Sequence, residues 1–177
     1  MSIETVILVD EQDNPIGEME KMEAHRKGLL HRAFSGFVFN DRGELLIQQR
    51  SATKYHNANI WTNTVCSHPR LDETIPDAAK RRLKEELGFE LEFSEVGSFL
   101  YKVKFENGLT EHELDHVCVA HYGGQAIKPN PDEVQDIQWI SLGELKQKIA
   151  SRPDDFSYWL KKILEKNLVA SSFVFDL

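Results

Sequence analysis

The chain has 177 residues, of which 41% are hydrophobic and 28% charged, and its formal net charge is −8. This composition is typical of one globular domain, which we place at residues 1–177. The acidic balance and the absence of a Lys/Arg run exclude a nucleic-acid-binding surface. No apolar stretch approaches the roughly 20 residues that cross a bilayer, so no membrane partner is expected.

Two further features indicate the compartment. The start of the chain lacks the basic segment and the apolar core of a signal peptide. Cys66 and Cys118 are too few to form a disulfide scaffold in a chain of this length. A reducing cytoplasm is therefore the expected location.

Alternating side chains predict several strands. Residues 5–9 form a short β-rich run that the polar residues 10–15 stop. Alternation along 33–39, followed by the turn residues 40–43 and a second run at 45–50, predicts a hairpin. Alternation over 99–105 and 111–119 predicts two more strands. In the last of them Glu111 and Glu113 are two residues apart and should share a face.

The segment 74–88 predicts a helix with both ends marked. Thr74 and Asp77 have capping-box spacing at its start, and Gly88 suits its C-terminal cap. An apolar stripe with i, i+4, i+8 spacing should face the core: Ala79, Leu83 and Leu87. Three polar residues on another face should project together: Arg82, Glu85 and Glu86.

The remaining helices complete the expected fold. Ser141 and Glu144 form a second capping box, and the apolar spacing over 159–164 predicts a C-terminal helix. Strands alternate with a few helices, without regular βαβ spacing. This order predicts an α/β fold, an α/β/α sandwich around a mixed sheet.

Five residues can supply metal ligands: His25, His31, His68, Glu111 and Glu113. Imidazole with carboxylate suits Mn²⁺, Zn²⁺ or Fe²⁺, and five protein ligands would indicate octahedral coordination. The alternative is that scattered histidines lie on the surface, which is the commoner situation for any single one. Spacing alone does not decide, because three segments must converge in space.

A thiol accompanies these histidines. Cys66 and His68 are two residues apart, so an extended backbone would place both on one face. A thiol with an ordinary pKa of about 8.5 can give or take a proton where its surroundings help. A lone cysteine is more often a small buried hydrophobe. Cys118 alternates away from Glu111 and Glu113, and we expect it in the core.

Anion binding has its own candidates. Glu85 and Glu86 can chelate Mg²⁺ on a diphosphate, or they can form solvated i, i+4 pairs with Arg81 and Arg82. The candidate anion contacts, each of which is a solvated cation on composition alone, are Lys21, Arg50, Lys54 and Arg82. Trp159 has core spacing, but on a pocket wall it would stabilise a cation by about 0.5–2 kcal/mol.

Four phrases resemble a known family, the type I isopentenyl-diphosphate isomerases, a branch of the Nudix fold. They are LHRAFS at 30–35, WTNTVCSHP at 61–69, RRLKEELG at 81–88 and EHELD at 111–115. The second phrase is the most specific, and the likeness covers nearly the whole chain. The resemblance implies a Nudix-type α/β/α sandwich.

The chain departs from the general Nudix box, G-x5-E-x7-R-E-U-x-E-E-x-G-U with U aliphatic. With the box registered on Gly88, Ser67 replaces the opening glycine and Arg82 replaces a glutamate that helps to hold the hydrolytic metal. The loss of that carboxylate weakens a hydrolase interpretation. An arginine at this position suits a diphosphate that is gripped and left intact.

The resemblance also implies a reaction and the residues that perform it. The family interconverts isopentenyl diphosphate and dimethylallyl diphosphate through a carbocation, with Cys66 and Glu113 as the acid/base pair and Tyr101 hydrogen-bonded nearby. One divalent ion, Mn²⁺, Zn²⁺ or Mg²⁺, would be held by His25, His31, His68, Glu111 and Glu113. Glu86 would help to hold Mg²⁺ on the substrate diphosphate. The implied substrate contacts are Lys21, Arg50, Lys54 and Arg82, with Trp159 beside the hydrocarbon.

Two other functions stay open at this point. A Nudix pyrophosphohydrolase of nucleoside diphosphate derivatives is supported by Glu73, Glu85 and Glu86 but not by Arg82 or Cys66. A non-catalytic module would bind metal or diphosphate and act through a partner. The expected partner is a small-molecule diphosphate, and the chain is expected to be a monomer or a homodimer.

Overall fold

A computed structural model describes residues 3–54 and 56–170, so residues 1–2, 55 and 171–177 of the predicted domain lie outside the description. The strands that it contains are β1 (Thr5–Val9), β2 (Pro15–Glu20), β3 (His31–Phe39), β4 (Glu44–Arg50), β5 (Trp61–Thr62), β6 (Val65–Ser67), β7 (Ser94–Lys104), β8 (Thr110–His121) and β9 (Val134–Ser141). The α-helices are α1 (Lys21–Lys27), α2 (Ile75–Leu87), α3 (Leu142–Ser151) and α4 (Tyr158–Glu165). None of these helices has the length and apolar character needed to cross a bilayer.

The sheet is mixed, as predicted, and it is organised around β3. This strand pairs in parallel with β8 over its whole length, from His31↔Glu113 to Phe39↔His121. It pairs antiparallel with β1, β4 and β6. The outer strands are added antiparallel, with β2 on β1, β7 on β8, and both β5 and β9 on β4. The parallel β3/β8 pair places the starts of both strands at the same edge.

Helices cover both faces of the sheet and bury two separate apolar clusters. On one face α3 and α4 pack against alternate residues of β3 and β4, among them Phe37 and Ile47. On the other face α2 packs against the residues between them, among them Phe34 and Leu46. Because successive side chains of a strand point to opposite faces, a strand covered on both sides reads as continuously apolar. The predicted α/β/α sandwich is confirmed.

The helix predicted at 74–88 is also confirmed. Thr74 Oγ1 accepts a hydrogen bond from the backbone N–H of Asp77 at 3.2 Å, which caps the N-terminus of α2. Gly88 ends the helix with φ at 78°, in the left-handed region where a glycine carries no Cβ penalty. Leu83 and Leu87 are fully buried, so the predicted stripe is the buried face.

The predicted hairpin between β3 and β4 is wrong in most of its length. The two strands pair only at Phe39↔Leu45, and the main partner of β4 is β9. The segment that carries β5 and β6 separates them. Thr64 Oγ1 accepts from the Val38 N–H at 2.9 Å and donates to the Leu46 carbonyl at 2.6 Å, so one hydroxyl satisfies the backbone of both separated strands. This insertion carries Cys66 into the centre of the sheet.

Five of these strands and helices were not predicted at all: β2, α1, β5, β6 and β9. The β2 strand contains Pro15 and Gly17 and lies at the edge of the sheet, so its composition lacks the usual strand signal. The α1 helix has only seven residues, and its cap is the side chain of Glu20, which accepts from two backbone N–H groups. Neither β2 nor α1 shows a clear periodicity of apolar residues, although α1 carries two of the predicted site residues.

Candidate active site

An open cleft lies where β3, β6 and β8 meet α1, α2 and α4. Its wall includes every predicted site residue except His31, which is fully buried beneath it. The predicted residues on the wall are Lys21, His25, Arg50, Lys54, Cys66, His68, Arg82, Glu86, Tyr101, Glu111, Glu113 and Trp159. The fold therefore brings residues from well-separated parts of the sequence into one space.

Four of the predicted metal ligands form a compact group, which we call the histidine cluster: His25, His31, His68 and Glu113. One ligand atom of each lies within 4.8 Å of those of the others. The β3/β8 register places His31 directly beside Glu113, and α1 and the end of β6 supply the two other imidazoles. Three of the four residues are buried.

The outer contacts of the histidine cluster orient its rings. The Nδ1–H of His25 donates to the Lys21 carbonyl at 2.7 Å, and the Nδ1–H of His31 donates to the Leu29 carbonyl at 2.9 Å. In the neutral form of these two imidazoles Nε2 is the unprotonated nitrogen, and it points to the centre. His31 Nε2 is buried, has no hydrogen-bond partner among the described residues and lies 3.3 Å from Glu113 Oε1. The cluster fits a divalent cation that accepts imidazole and carboxylate ligands.

Burial keeps part of the histidine cluster neutral. It lowers the pKa of His68 to about 4, and it lowers the pKa of His25 as well. A neutral imidazole is the form that binds a metal. For Glu113 burial favours the neutral acid, but the adjacent imidazoles of His31 and His68 outweigh it and hold the pKa of Glu113 well below its usual range.

Glu111, the fifth predicted ligand, lies outside this group of four. Its Oε1 atom is 2.7 Å from His56 Nε2, and its Oε2 atom accepts from the Tyr101 hydroxyl at 3.1 Å. Sequence reasoning missed His56, whose ring centroid is 5.9 Å from that of His25. No spacing or motif distinguished it from the other histidines. Its place as a neighbour of Glu111 follows from the tertiary fold.

Tyr101 joins the two carboxyl groups. Its hydroxyl also lies 2.7 Å from Glu113 Oε2, because Tyr101 faces Glu113 in the β7/β8 register. Burial, together with the charge of Glu113, raises the pKa of Glu111 to about 8. Burial also raises the pKa of Tyr101 well above its usual value. The Tyr101 hydroxyl therefore stays protonated and donates its hydrogen bond to the carboxyl groups of Glu111 and Glu113, whose pKa values differ.

Cys66 lies on β6, half-buried on the cleft wall and paired with Ser35 of β3. Burial raises the pKa of the Cys66 thiol to about 12, so the group is a neutral S–H at physiological pH. The Ser35 hydroxyl donates to Asp115 Oδ2 at 2.7 Å in the layer behind the thiol. Cys118 is fully buried on the opposite face with the α2 core, as predicted.

Four cations line the same cleft, and we call this group the cationic end: Lys21, Arg50, Lys54 and Arg82. Arg82 contacts Glu85 at 2.7 Å and Glu86 at 2.6 Å, so the predicted joint projection of these three residues is confirmed. Lys21 forms an ion pair with Glu4, and Lys54 with Glu133. The Nε atoms of Arg50 and Arg82 are buried without a hydrogen-bond partner in the described part of the chain.

Glu86 is the buried carboxylate of the cationic end. It accepts from Gln48 Nε2 at 2.8 Å in addition to Arg82, and it is 5% exposed. Burial raises its pKa, although Arg82 opposes that shift. Sequence reasoning missed Gln48, Glu4 and Glu133, because each belongs to a segment that carries no motif.

Trp159 is both a core residue and part of the cleft wall. Only 4% of it is exposed, and its indole N–H donates to Asn63 Oδ1 at 3.0 Å. The Asn63 amide in turn donates to the carbonyls of Gly36 and Val65. The guanidinium carbon of Arg50 lies 5.8 Å from the ring centroid. The WTNTVCSHP segment therefore fixes the aromatic wall as well as the thiol.

Comparison with known proteins gives the fold a family. The NUDIX domain family matches residues 29–160. Among solved structures, the Deinococcus radiodurans protein DR0079 superposes with a TM-score of 0.76 at 23% identity, covering 92% of this chain and 98% of its own. The MutT protein from Methanosarcina mazei has a TM-score of 0.63 at 17% identity, over 77% of this chain and 91% of its own. These two likenesses concern the fold.

Relatives at higher identity are more specific. A protein of Aromatoleum aromaticum named isopentenyl-diphosphate Delta-isomerase 2 is 48% identical over 91% of this chain and 85% of its own. The Burkholderia multivorans protein named isopentenyl-diphosphate Delta-isomerase is 47% identical over 92% of each chain. The chain thus belongs to the NUDIX family and, within it, to the isopentenyl-diphosphate Delta-isomerases.

Proposed function

We propose that this protein interconverts isopentenyl diphosphate and dimethylallyl diphosphate by moving one carbon–carbon double bond, with Cys66 and Glu113 as its acid/base pair. The names of the close relatives support the reaction. The observation that carries the residue assignment is that the Cys66 thiol and the Glu113–Tyr101 pair line the same cleft. The proposed partner is a small-molecule diphosphate.

The reaction needs two proton-transfer groups, because one carbon gains a proton and another loses one. Cys66 is a neutral thiol at physiological pH and can donate. The carboxylate of Glu113 is ionised and can accept, while the Tyr101 hydroxyl beside it carries a proton. One forward turnover leaves Cys66 as a thiolate and Glu113 protonated, so the thiol must take up a proton and the carboxyl group must release one, by exchange with solvent, before the next turnover.

Protonation of an unactivated alkene produces a tertiary carbocation that water would trap. Trp159 supplies a π face that stabilises a cation by about 0.5–2 kcal/mol. The wall around it is apolar, because Trp159 packs with Phe156 and Leu160 in the apolar cluster beneath the cleft. Exclusion of water and a nearby π surface address the same difficulty.

Within this proposal the diphosphate stays intact and positions the five-carbon tail by remote binding energy. Lys21, Arg50, Lys54 and Arg82 would contact its oxygens. Glu86 would help to hold a Mg²⁺ ion that accompanies it, since Mg²⁺ binds through a carboxylate and substrate phosphates.

The histidine cluster would hold one divalent ion, with Glu111 as a further ligand in the proposal. Mn²⁺, Zn²⁺ and Mg²⁺ are the candidates, and the three imidazoles favour the first two. Such an ion would supply positive charge that tunes the acidity of Glu113. In the protein itself, His31 and His68 orient the Glu113 carboxylate toward Tyr101.

The contacts of the Nudix-box glutamates disfavour the pyrophosphohydrolase alternative. Glu73 is held by Arg81 at 2.7 and 2.9 Å, and Glu85 and Glu86 are both held by Arg82. The box thus has one carboxylate fewer than a hydrolytic metal would need, because Arg82 stands in the place of a glutamate.

The test is incubation with isopentenyl diphosphate and Mg²⁺ in heavy water, followed by NMR. We expect dimethylallyl diphosphate and deuterium uptake into the hydrocarbon, with no phosphate released from a panel of nucleoside diphosphate derivatives. Phosphate release without the allylic product would support the hydrolase. Binding with neither proton exchange nor hydrolysis would support the non-catalytic module.

We further propose a cytoplasmic location, which the two free thiols of Cys66 and Cys118 support. Whether the protein is a monomer or a homodimer stays a prediction, as does its action as one domain over residues 1–177.

A further inference from the structure

Glu133 stands at the cationic end without a role in the proposed reaction. Its Oε2 atom forms the ion pair with Lys54 and lies 3.4 Å from Arg82 Nη2. The side chain is 24% exposed and lines the cleft. One carboxylate therefore joins two of the four cations that are proposed to bind the diphosphate.

The backbone holds Glu133 in this position. Its N–H donates to the Asn130 carbonyl, and its own carbonyl accepts from the Ser51 N–H at 3.0 Å. The next residue, Val134, is paired with Arg50 at the end of β4. The carboxylate thus projects from the rigid start of β9, and the sheet keeps it facing the cations.

The carboxylate is ionised in this setting. Burial favours its neutral form, but the hydrogen bond from Lys54 and the charge of Arg82 outweigh burial and lower the pKa of Glu133. Carboxylate and phosphate oxygens seek the same ammonium and guanidinium donors. A phosphate that approaches Lys54 and Arg82 is therefore repelled by the Glu133 carboxylate, which is already bound to these two cations.

We propose that Glu133 is a specificity-determining residue of the diphosphate site, competing with phosphate oxygens for Lys54 and Arg82 so that the cleft selects a diphosphate that carries a divalent cation. A metal-free diphosphate brings several negative charges next to Glu133 and is repelled. A diphosphate with Mg²⁺ brings fewer net charges, and the cation compensates the carboxylate. This inference rests on the proposed function, because it concerns that function's diphosphate site.

The charge balance of the cationic end agrees with this assignment. Lys21 is paired with Glu4, Lys54 with Glu133, and Arg82 with Glu86. The cations are thus largely neutralised within the chain. A cleft built to attract bare anions would leave such cations unpaired, as charge-lined clefts do when they raise the local concentration of a charged ligand.

The test uses Glu133→Gln, which removes the charge and keeps the size of the side chain. Isothermal titration with inorganic diphosphate is run with added Mg²⁺ and without it, on proteins whose bound metal contents are measured and equal. We expect wild type to bind at least about tenfold more tightly with Mg²⁺. In Glu133→Gln that ratio should fall by about tenfold, mainly through tighter metal-free binding. Asp132→Asn is the matched control, because Asp132 is the exposed neighbour and lies off the cleft wall.

Glu133→Asp keeps the charge and should preserve the wild-type ratio. An unchanged ratio in Glu133→Gln, or an equal loss of both affinities, would overturn the inference, since the carboxylate would then only scaffold the cations. A wild type that binds inorganic diphosphate in neither form would instead remove the proposed diphosphate site. The readout requires no turnover, so the two failures are distinguishable.

Discussion

The histidine cluster and the cationic end satisfy their polar groups in opposite ways. In the histidine cluster, backbone carbonyls hold the outer nitrogens of His25 and His31, and the inner nitrogens converge on Glu113. At the cationic end, Lys54 and Arg82 already have carboxylate partners. The first arrangement is preorganised around an ion, whereas the second must exchange partners when a ligand binds.

This difference predicts which kinetic constant a substitution in each group should change. A change in the histidine cluster removes a geometry that several rigid elements build together, so it should affect the chemical step. A change at the cationic end alters how the chain's carboxylates and the substrate phosphates share the cations. It should therefore affect mainly the binding of substrate.

The largest effect is expected for Glu113→Gln. The substitution removes a metal ligand and the carboxylate that Tyr101 contacts, so kcat should fall roughly 10³-fold or more. Bound Mn²⁺ or Zn²⁺, measured by elemental analysis, should fall with it. Glu106→Gln, at an exposed site outside the cleft, is the control and should retain both. A variant with wild-type turnover and no bound metal would refute the role of the histidine cluster.

A smaller effect of another kind is expected for Lys54→Met at the cationic end. Loss of one phosphate contact should raise KM for isopentenyl diphosphate about tenfold and leave kcat within about twofold. Lys146→Met, an exposed lysine of α3, should change neither constant. A drop in kcat with KM unchanged would mean that Lys54 acts in the chemical step, and the contrast between the two groups would not hold.

The smallest effect is expected without any substitution, in the alkylation rates of Cys66 and Cys118 in the wild-type protein. A pKa of about 12, against an ordinary value of about 8.5, leaves Cys66 with far less thiolate at neutral pH than an exposed cysteine has. Its alkylation by iodoacetamide, followed by intact mass, should still rise about tenfold per pH unit between pH 7 and 9. Cys118 is fully buried and should not react in the native protein. A plateau of the Cys66 rate below pH 9 would show an ionised thiol and contradict a neutral proton donor.

Local sequence signals predicted the parts of the fold that are determined locally. The caps at Thr74 and Gly88 and the stripe through Leu83 mark α2 because capping and helical periodicity act over a few residues. The hairpin prediction failed because Thr64 belongs to a segment that enters between β3 and β4 from elsewhere in the chain. No local pattern encodes such an insertion.

The residues of the site also divide into those that the sequence indicated and those that only the tertiary fold reveals. The resemblance indicated most of its residues, but their convergence depends on the β3/β8 register that places His31 beside Glu113. His56 and Glu133 were missed because each gains its importance from a partner distant in sequence, Glu111 for the first and Lys54 for the second. Both partners were among the predicted residues, so only the tertiary contacts were lacking.

The most direct measurement is the rate at which Cys66→Ala forms dimethylallyl diphosphate, taken beside its affinity for inorganic diphosphate with Mg²⁺. If the thiol is one member of the acid/base pair, turnover should fall roughly 10³-fold while the affinity stays within about twofold of wild type. Cys118→Ala, which removes the other thiol, should remain active. Turnover near the wild-type rate in Cys66→Ala would contradict the assignment of Cys66 and Glu113 as the pair that moves the proton.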